Sequence, residues 1–374
     1  VANTLTPLIP SLIASLQGVA RSMTPIQDLV TMDPSLEGAA VNQSVTVPYT
    51  APVSAGNITP GTTPTGADVT ATSKSITITK ARVAAFTLTG EDYKRMAARG
   101  AEFRSEQAME AMKTIIEEIW ADGLAIAAKG AGYGLGTQGT NPFASNTDYM
   151  SDLKKAFDDS KAPATSRALI IDTTSDAALG KLGINNQVYQ AGTDSILRTG
   201  EKLPLQGFRL PLTNLAYSHT KGTGSGYLVN KVGGHSIGET AITVDTGSGT
   251  ILQGDVVTFA GHTRKYIATG LSGTTLTLNA PLVAAVADDE AITVGNAGTR
   301  LVSLVKSAVL FSVRPPALPP EGDSATGRIL VRDPESGLVL SVATFKGPYQ
   351  ASYAVEAVWG GGVVRPERVW QALA

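Results

Sequence analysis

No cysteine occurs among the 374 residues, which excludes disulfide frameworks, zinc–thiolate sites and thiol catalysis. Histidine is nearly as scarce. His219, His235 and His262 are the only three, and none is read as having a second histidine or a carboxylate at helical metal-ligand spacing. Each is expected to be an exposed loop residue. Charge of one sign is also lacking, since 30 basic residues face 32 acidic ones for a net charge of −2. A surface built to coat nucleic acid needs a basic excess, so that class is disfavoured. The N-terminal apolar stretch is broken by Pro7 and Pro10 and carries no basic leader. It is expected to be neither a signal peptide nor a membrane span.

Sites with recognisable chemistry are missing too. Gly233–Gly238 lacks the lysine that a phosphate-binding loop would supply. Gly134-Leu-Gly136-Thr-Gln-Gly139 satisfies G-x-G-x-x-G, but a helical pattern precedes it and Asn141-Pro142 follows. A dinucleotide fingerprint needs a strand before and a helix after, so these glycines are expected to cap and turn the end of a helix. No nucleophile elbow sits on a strand-to-helix turn. Asp158-Asp159 and Asp288-Asp289-Glu290 read as solvated acidic turns. No catalytic, cofactor or metal residue is assigned. A chain that is 43% hydrophobic yet carries no such site points to a structural role.

The length suggests about two to three domains. The stretch that organises them is 101–129. Met109, Met112, Ile116, Ile119, Trp120 and Ala127 recur there at spacings of three and four, the stripe of an amphipathic helix roughly 40 Å long. Before it, residues 1–40 read as an arm with a short helix around Pro10–Ser22. Residues 41–82 read as two strands, Ser44–Pro48 and Ser75–Thr79, joined by a long loop rich in Gly, Pro and Thr. Thr89-Gly-Glu-Asp92 has the form of a helix start. Residues 134–218 read as an α+β layer, with short helices at Ser151–Lys161 and Thr174–Leu182 flanking a strand at Arg167–Asp172. From 219 to 298 the pattern becomes short strands separated by Gly and Thr, the texture of a small β-barrel inserted into that layer. Excising Gly222–Asn296 is then expected to leave the remainder able to fold. Residues 299–374 return to the earlier sheet through strands at Ile329–Arg332, Leu338–Thr344 and Tyr353–Trp359.

This order of parts resembles the major capsid proteins of tailed bacteriophages with the HK97-like fold. The insertion makes it most similar to the coat protein family of the short-tailed phage P22. Two local matches carry the resemblance. Gly254-Asp255-Val-Val-Thr-Phe259-Ala-Gly261 is similar to a strand of that family's insertion domain. Trp359-Gly-Gly-Gly-Val-Val-Arg365-Pro366-Glu367 is similar to its terminal aromatic-glycine stretch. The resemblance implies an α+β fold made of an N-terminal arm, an extended hairpin or E-loop (41–82) and a peripheral domain (83–133) carrying the spine helix. An axial domain (134–218), the inserted barrel (219–298) and a return segment (299–374) complete it. It implies a subunit that pairs with itself as hexamers and pentamers. A scaffolding protein, a portal and decoration proteins would be partners, and the shell would enclose double-stranded DNA without sequence-specific binding, with no cofactor and no membrane. The assembled particle is a virion head formed in the host cytoplasm. Assembly contacts are expected at Pro48, Tyr49, Ile58, Lys74 and Ile76 of the hairpin and at Leu12, Ile13 and Leu16 of the arm. Two other readings stay open: an encapsulin-like nanocompartment shell, and a β-rich glycan-binding adhesin.

Overall fold

The computed structural model describes residues 28–33, 35, 37–49, 57–58, 60–61, 72–96, 100–182, 200, 202, 204–333 and 336–374. Leu12, Ile13, Leu16 and the short helix expected around Pro10–Ser22 lie outside them. In chain order, β1 (Thr31–Met32), β2 (Ser44–Tyr49) and β3 (Thr72–Thr89) lead into α1 (Gly90–Met96) and α2 (Gly100–Lys129). Then follow β4 (Tyr133–Gly136), α3 (Asp148–Asp159), β5 (Arg167–Asp172), α4 (Thr173–Lys181), β6 (Leu212–Thr213) and β7 (Tyr217–His219). A run without helices comprises β8 (Leu228–Val229), β9 (Ala241–Asp245), β10 (Val256–Phe259), β11 (Lys265–Ser272), β12 (Thr275–Leu278) and β13 (Ile292–Val294). The chain closes with β14 (Gly298–Val305), β15 (Val309–Arg314), β16 (Ala325–Arg332), β17 (Val339–Gly347), β18 (Gln350–Val363) and β19 (Val369–Leu373).

The strands form two sheets. The first is built on β18, whose 14 residues have two long edges. One edge pairs with β3 from Gln350 to Gly360. The other pairs first with β17, over Gln350–Glu356, and then with β15, over Val358–Val363. Beyond β17 lies β16, and β1 joins β15 in parallel. The inner half of β3 belongs to this sheet, and its outer half, Thr72–Thr77, pairs with β2. A single 18-residue strand thus carries the hairpin out of the sheet. The sequence reading gave this strand only five residues.

Helix α2 lies across the first sheet. All six residues of its expected stripe are buried. They share a core with Val355, Ala357 and Trp359 of β18 and with Val302 and Leu304 of β14, so the helix joins both sheets. Its charged face is also engaged. Asp122 takes the Lys80 ammonium at 2.8 Å and the Trp359 indole N–H at 2.9 Å, and Glu118 takes Arg82 at 2.9 Å. Before α2, the Thr89 hydroxyl accepts the Asp92 N–H while the Asp92 carboxylate accepts the Thr89 N–H, a reciprocal cap on α1.

The second sheet runs β6, β5, β14, β19, β4, β11, β12, β9, β8. Strand β4 lies parallel to β19 and antiparallel to β11. This corrects the reading of Gly134–Gly139 as a helix cap: Gly134 and Gly136 belong to a strand, and the turn out of α2 is made upstream. Gly132 is needed there, because a Cβ would lie 2.6 Å from the Pro366 carbonyl oxygen that accepts its N–H.

In the all-β segment, β8–β9–β12–β11–β10–β13 pair in succession. A bridge from Leu228 to Ala291 returns the series to its start, making a closed ring. The segment's entry and exit strands, β7 and β14, are hydrogen-bonded neighbours. The ring does not stand apart from the layer that holds it. β11 pairs with β4, and Tyr266, Phe259 and Leu278 share one core with Tyr133, Phe157 and Trp370.

Candidate functional site

Hairpin, helix end, ring and C-terminal turn converge on one junction. A cavity of about 400 Å³ there is lined by Lys74, Ile76, Gln253, Asn279, Gly362 and Pro366, among others. Along the hairpin the side chains alternate, with Ser73, Ser75 and Thr77 exposed and Ile76 and Ile78 buried. Ile76, expected to face a neighbour, is covered by its own chain; a Cβ on Gly362 would lie 2.8 Å from it. Pro48 and Ile58 are exposed. Tyr49 closes β2, paired with Thr72. Lys74 is half-buried; burial pushes its pKa down and the field of Glu367 opposes this. The hairpin and the C-terminal motif are therefore electrostatic neighbours.

The C-terminal motif is a close-packing device. Trp359 is buried and held by Asp122. At Gly360 the register of β18 against β3 shifts, and a Cβ would lie 2.2 Å from the Thr77 carbonyl oxygen. Gly361 meets the Phe311 ring at 2.4 Å in the same sense. Only glycine lets β3 and β15 approach this end of β18 so closely. Arg365, Pro366 and Glu367 follow; Pro366 and Glu367 belong to a 3₁₀ turn, and Arg365 and Glu367 are 3.8 Å apart.

The motif in the ring is a buried network. Asp255 is fully buried and accepts from His219 Nε2 at 2.8 Å, from the Leu252 N–H at 2.7 Å and from the Gly222 N–H at 3.1 and 3.2 Å. Burial by itself would raise its pKa, but these hydrogen bonds, led by His219, outweigh that and hold it below the usual carboxylate range. Gly254, at φ +96°, turns the chain beside His219, and Phe259 packs into the ring core. Gly261 turns the chain after β10, at φ +75°.

All three histidines face carboxylates, which corrects their reading as exposed loop residues. His219 and His235 are both 3% exposed. His235 Nε2 accepts the Thr243 N–H at 3.0 Å, so its proton sits on Nδ1, 2.6 Å from Glu239. Glu239, which also takes Lys231 and the Ser236 N–H, is pulled down to about 2, with His235 the largest cause. His262 lies 3.2 Å from Glu290, so this part of the acidic run is not a solvated turn. The expectation that no carboxylate stands at helical spacing from a histidine is also corrected, since Glu239 follows His235 by four residues and pairs with it. The other partners are 36 and 28 positions away in the chain. Among the described residues no three His, Asp or Glu side chains cluster to hold a metal, and no helix is long and apolar enough to cross a membrane.

No protein-family model matches the chain, and no curated protein does. Solved structures do. A chain of the cyanophage P-SCSP1u capsid aligns over 95% of this chain and 89% of its own length, with a TM-score of 0.55 at 15% identity. A chain from Mycobacterium phage Che8 aligns over 95% of this chain and 92% of its own, with a TM-score of 0.50 at 12% identity. The chain shares the mixed helix-and-strand fold of these phage chains.

Proposed function

We propose that this chain is a structural major capsid protein, which assembles as hexamers and pentamers into the icosahedral head of a tailed bacteriophage and encloses its DNA. One observation carries the reading: the likeness to a phage capsid chain extends over nearly the whole length of both. In this reading the fold is HK97-like. Residues 1–40 are the arm, 41–82 the E-loop hairpin, and 83–133 the peripheral domain with its spine. Residues 134–218 begin the axial domain, 219–298 form the inserted barrel of a P22-type coat, and 299–374 complete both domains. Pro48, Tyr49, Ile58 and Lys74 of the hairpin and Leu12, Ile13 and Leu16 of the arm meet neighbouring copies, while Ile76 supports the hairpin from inside. Copies with a net charge of −2 approach one another without strong repulsion and do not grip the packaged duplex. A scaffolding protein, a portal and decoration proteins are the partners, and assembly takes place in the host cytoplasm.

Negative-stain electron microscopy of the purified chain, with and without a co-expressed scaffold, tests this. Closed shells, sheets or tubes of repeating capsomers are the expected result. A uniform monomer under every condition overturns it and returns the ring of strands to consideration as a binding module. Shells that hold a protein cargo in place of nucleic acid would identify a nanocompartment.

A further inference from the structure

A second cavity, of about 180 Å³, opens where β4, β11, β14 and β19 meet, away from the hairpin junction. Arg300 and Lys265 line it together with Gln138, Thr258 and Asn296, and no lining residue among those described is acidic. Arg300 is 1% exposed. Its Nη2 donates to the Asn296 carbonyl at 2.6 Å, but Nε and Nη1 have no acceptor among the described residues. The carboxylate whose field reaches it, Asp255, already receives N–H groups from His219, Leu252 and Gly222. Lys265 donates to the Gly136 carbonyl, which occupies one of its three protons. Neither cation has an ion-pair partner among the described residues. A buried guanidinium with two idle donors beside a second cation is costly unless a negative charge joins them. The volume is that of roughly six waters, enough for a tetrahedral oxyanion and its residual hydration.

We propose that this cavity is a binding site for a small tetrahedral oxyanion of the inorganic phosphate class, held by Arg300 and Lys265. The anion would tie β14 to β11, fixing the ring of strands to the layer beneath it. The site is independent of the capsid reading.

The test is thermal denaturation and calorimetric titration of the full chain, in one assembly state throughout, with millimolar phosphate or chloride at equal ionic strength. Phosphate is expected to raise the melting midpoint saturably and to bind once per chain. Arg300→Met should weaken binding at least roughly tenfold. Thr258→Asp would place a carboxylate in the cavity. Its midpoint in chloride should rise above that of the unaltered chain and should no longer respond to phosphate. This second variant serves if Arg300→Met does not fold. Equal midpoints in the two salts, a phosphate response that survives Arg300→Met, or a Thr258→Asp chain that is destabilised and still responsive would each overturn the site.

Discussion

Gly360 shows how much one missing side chain decides. Alanine there would drive a Cβ to 2.2 Å from the backbone oxygen of Thr77, and neither strand is free to move, because β18 is held on both edges. Gly360→Ala is expected to cost about 2–4 kcal/mol in urea denaturation, whereas alanine at Gly139, which has open space around it and is opposed only by its φ of +83°, should cost less. Asp255 makes a pH prediction. Its folded pKa lies below the unfolded value of about 3.9, so its stabilisation is present above that value and is lost as pH falls through the folded one. Asp255→Asn should lower stability at pH 7 by about 1–3 kcal/mol, since the buried N–H groups of His219, Leu252 and Gly222 lose their charged acceptor, and should flatten the acid limb of the stability curve. Glu239 should titrate near 2 by carboxyl NMR and shift up toward the ordinary range in His235→Ala. The sequence singled out Trp359 and Asp255 through motif similarity, but their partners, Asp122 and His219, lie 237 and 36 residues away. No local pattern records such a pairing.

At the scale of elements, α2 was the most legible part because its 3.6-residue periodicity reports burial directly. Ile116 is 1% exposed within that stripe. Ile116→Asp is expected to cost several kcal/mol and to lower soluble yield; unchanged solubility and assembly would contradict the packing of the helix on both sheets. Strand β3 was half legible. Its outer part alternates Ile with Ser and Thr, as a hairpin with one covered side must. Its inner part, from Lys80 to Thr89, carries Lys80 and Arg82 toward the acidic face of α2, and these charges mask the alternation. The glycine run after α2 misled for a related reason. Gly134 and Gly136 look like turn residues in isolation, yet β19 and β11 flank them and supply the ladder that makes them strand.

At the scale of the whole molecule, the question is whether the ring of strands is a removable part. Texture alone marked residues 219–298 as a module, and adjacent entry and exit strands favour excision. The structure argues against it. Asn279 Nδ2 donates to the carbonyls of Lys129 and Ala131 at 2.7 and 2.8 Å, so the ring satisfies the open C-terminal end of α2. The Tyr133 hydroxyl donates to Pro281, and β11 covers the edge of β4. Removing Gly222–Asn296 would bare that edge, unsatisfy the helix end and open the core around Tyr133 and Trp370 to water. The excised chain is therefore expected to be insoluble or to lack a cooperative melt by circular dichroism, contrary to the expectation from sequence. Asn279→Ala isolates one part of this coupling: it should keep the fold while losing about 1–3 kcal/mol, the cost of leaving buried carbonyls without a donor. A soluble, cooperatively melting excision product, together with an unperturbed Asn279→Ala chain, would show that the ring is docked on the layer and not built into it.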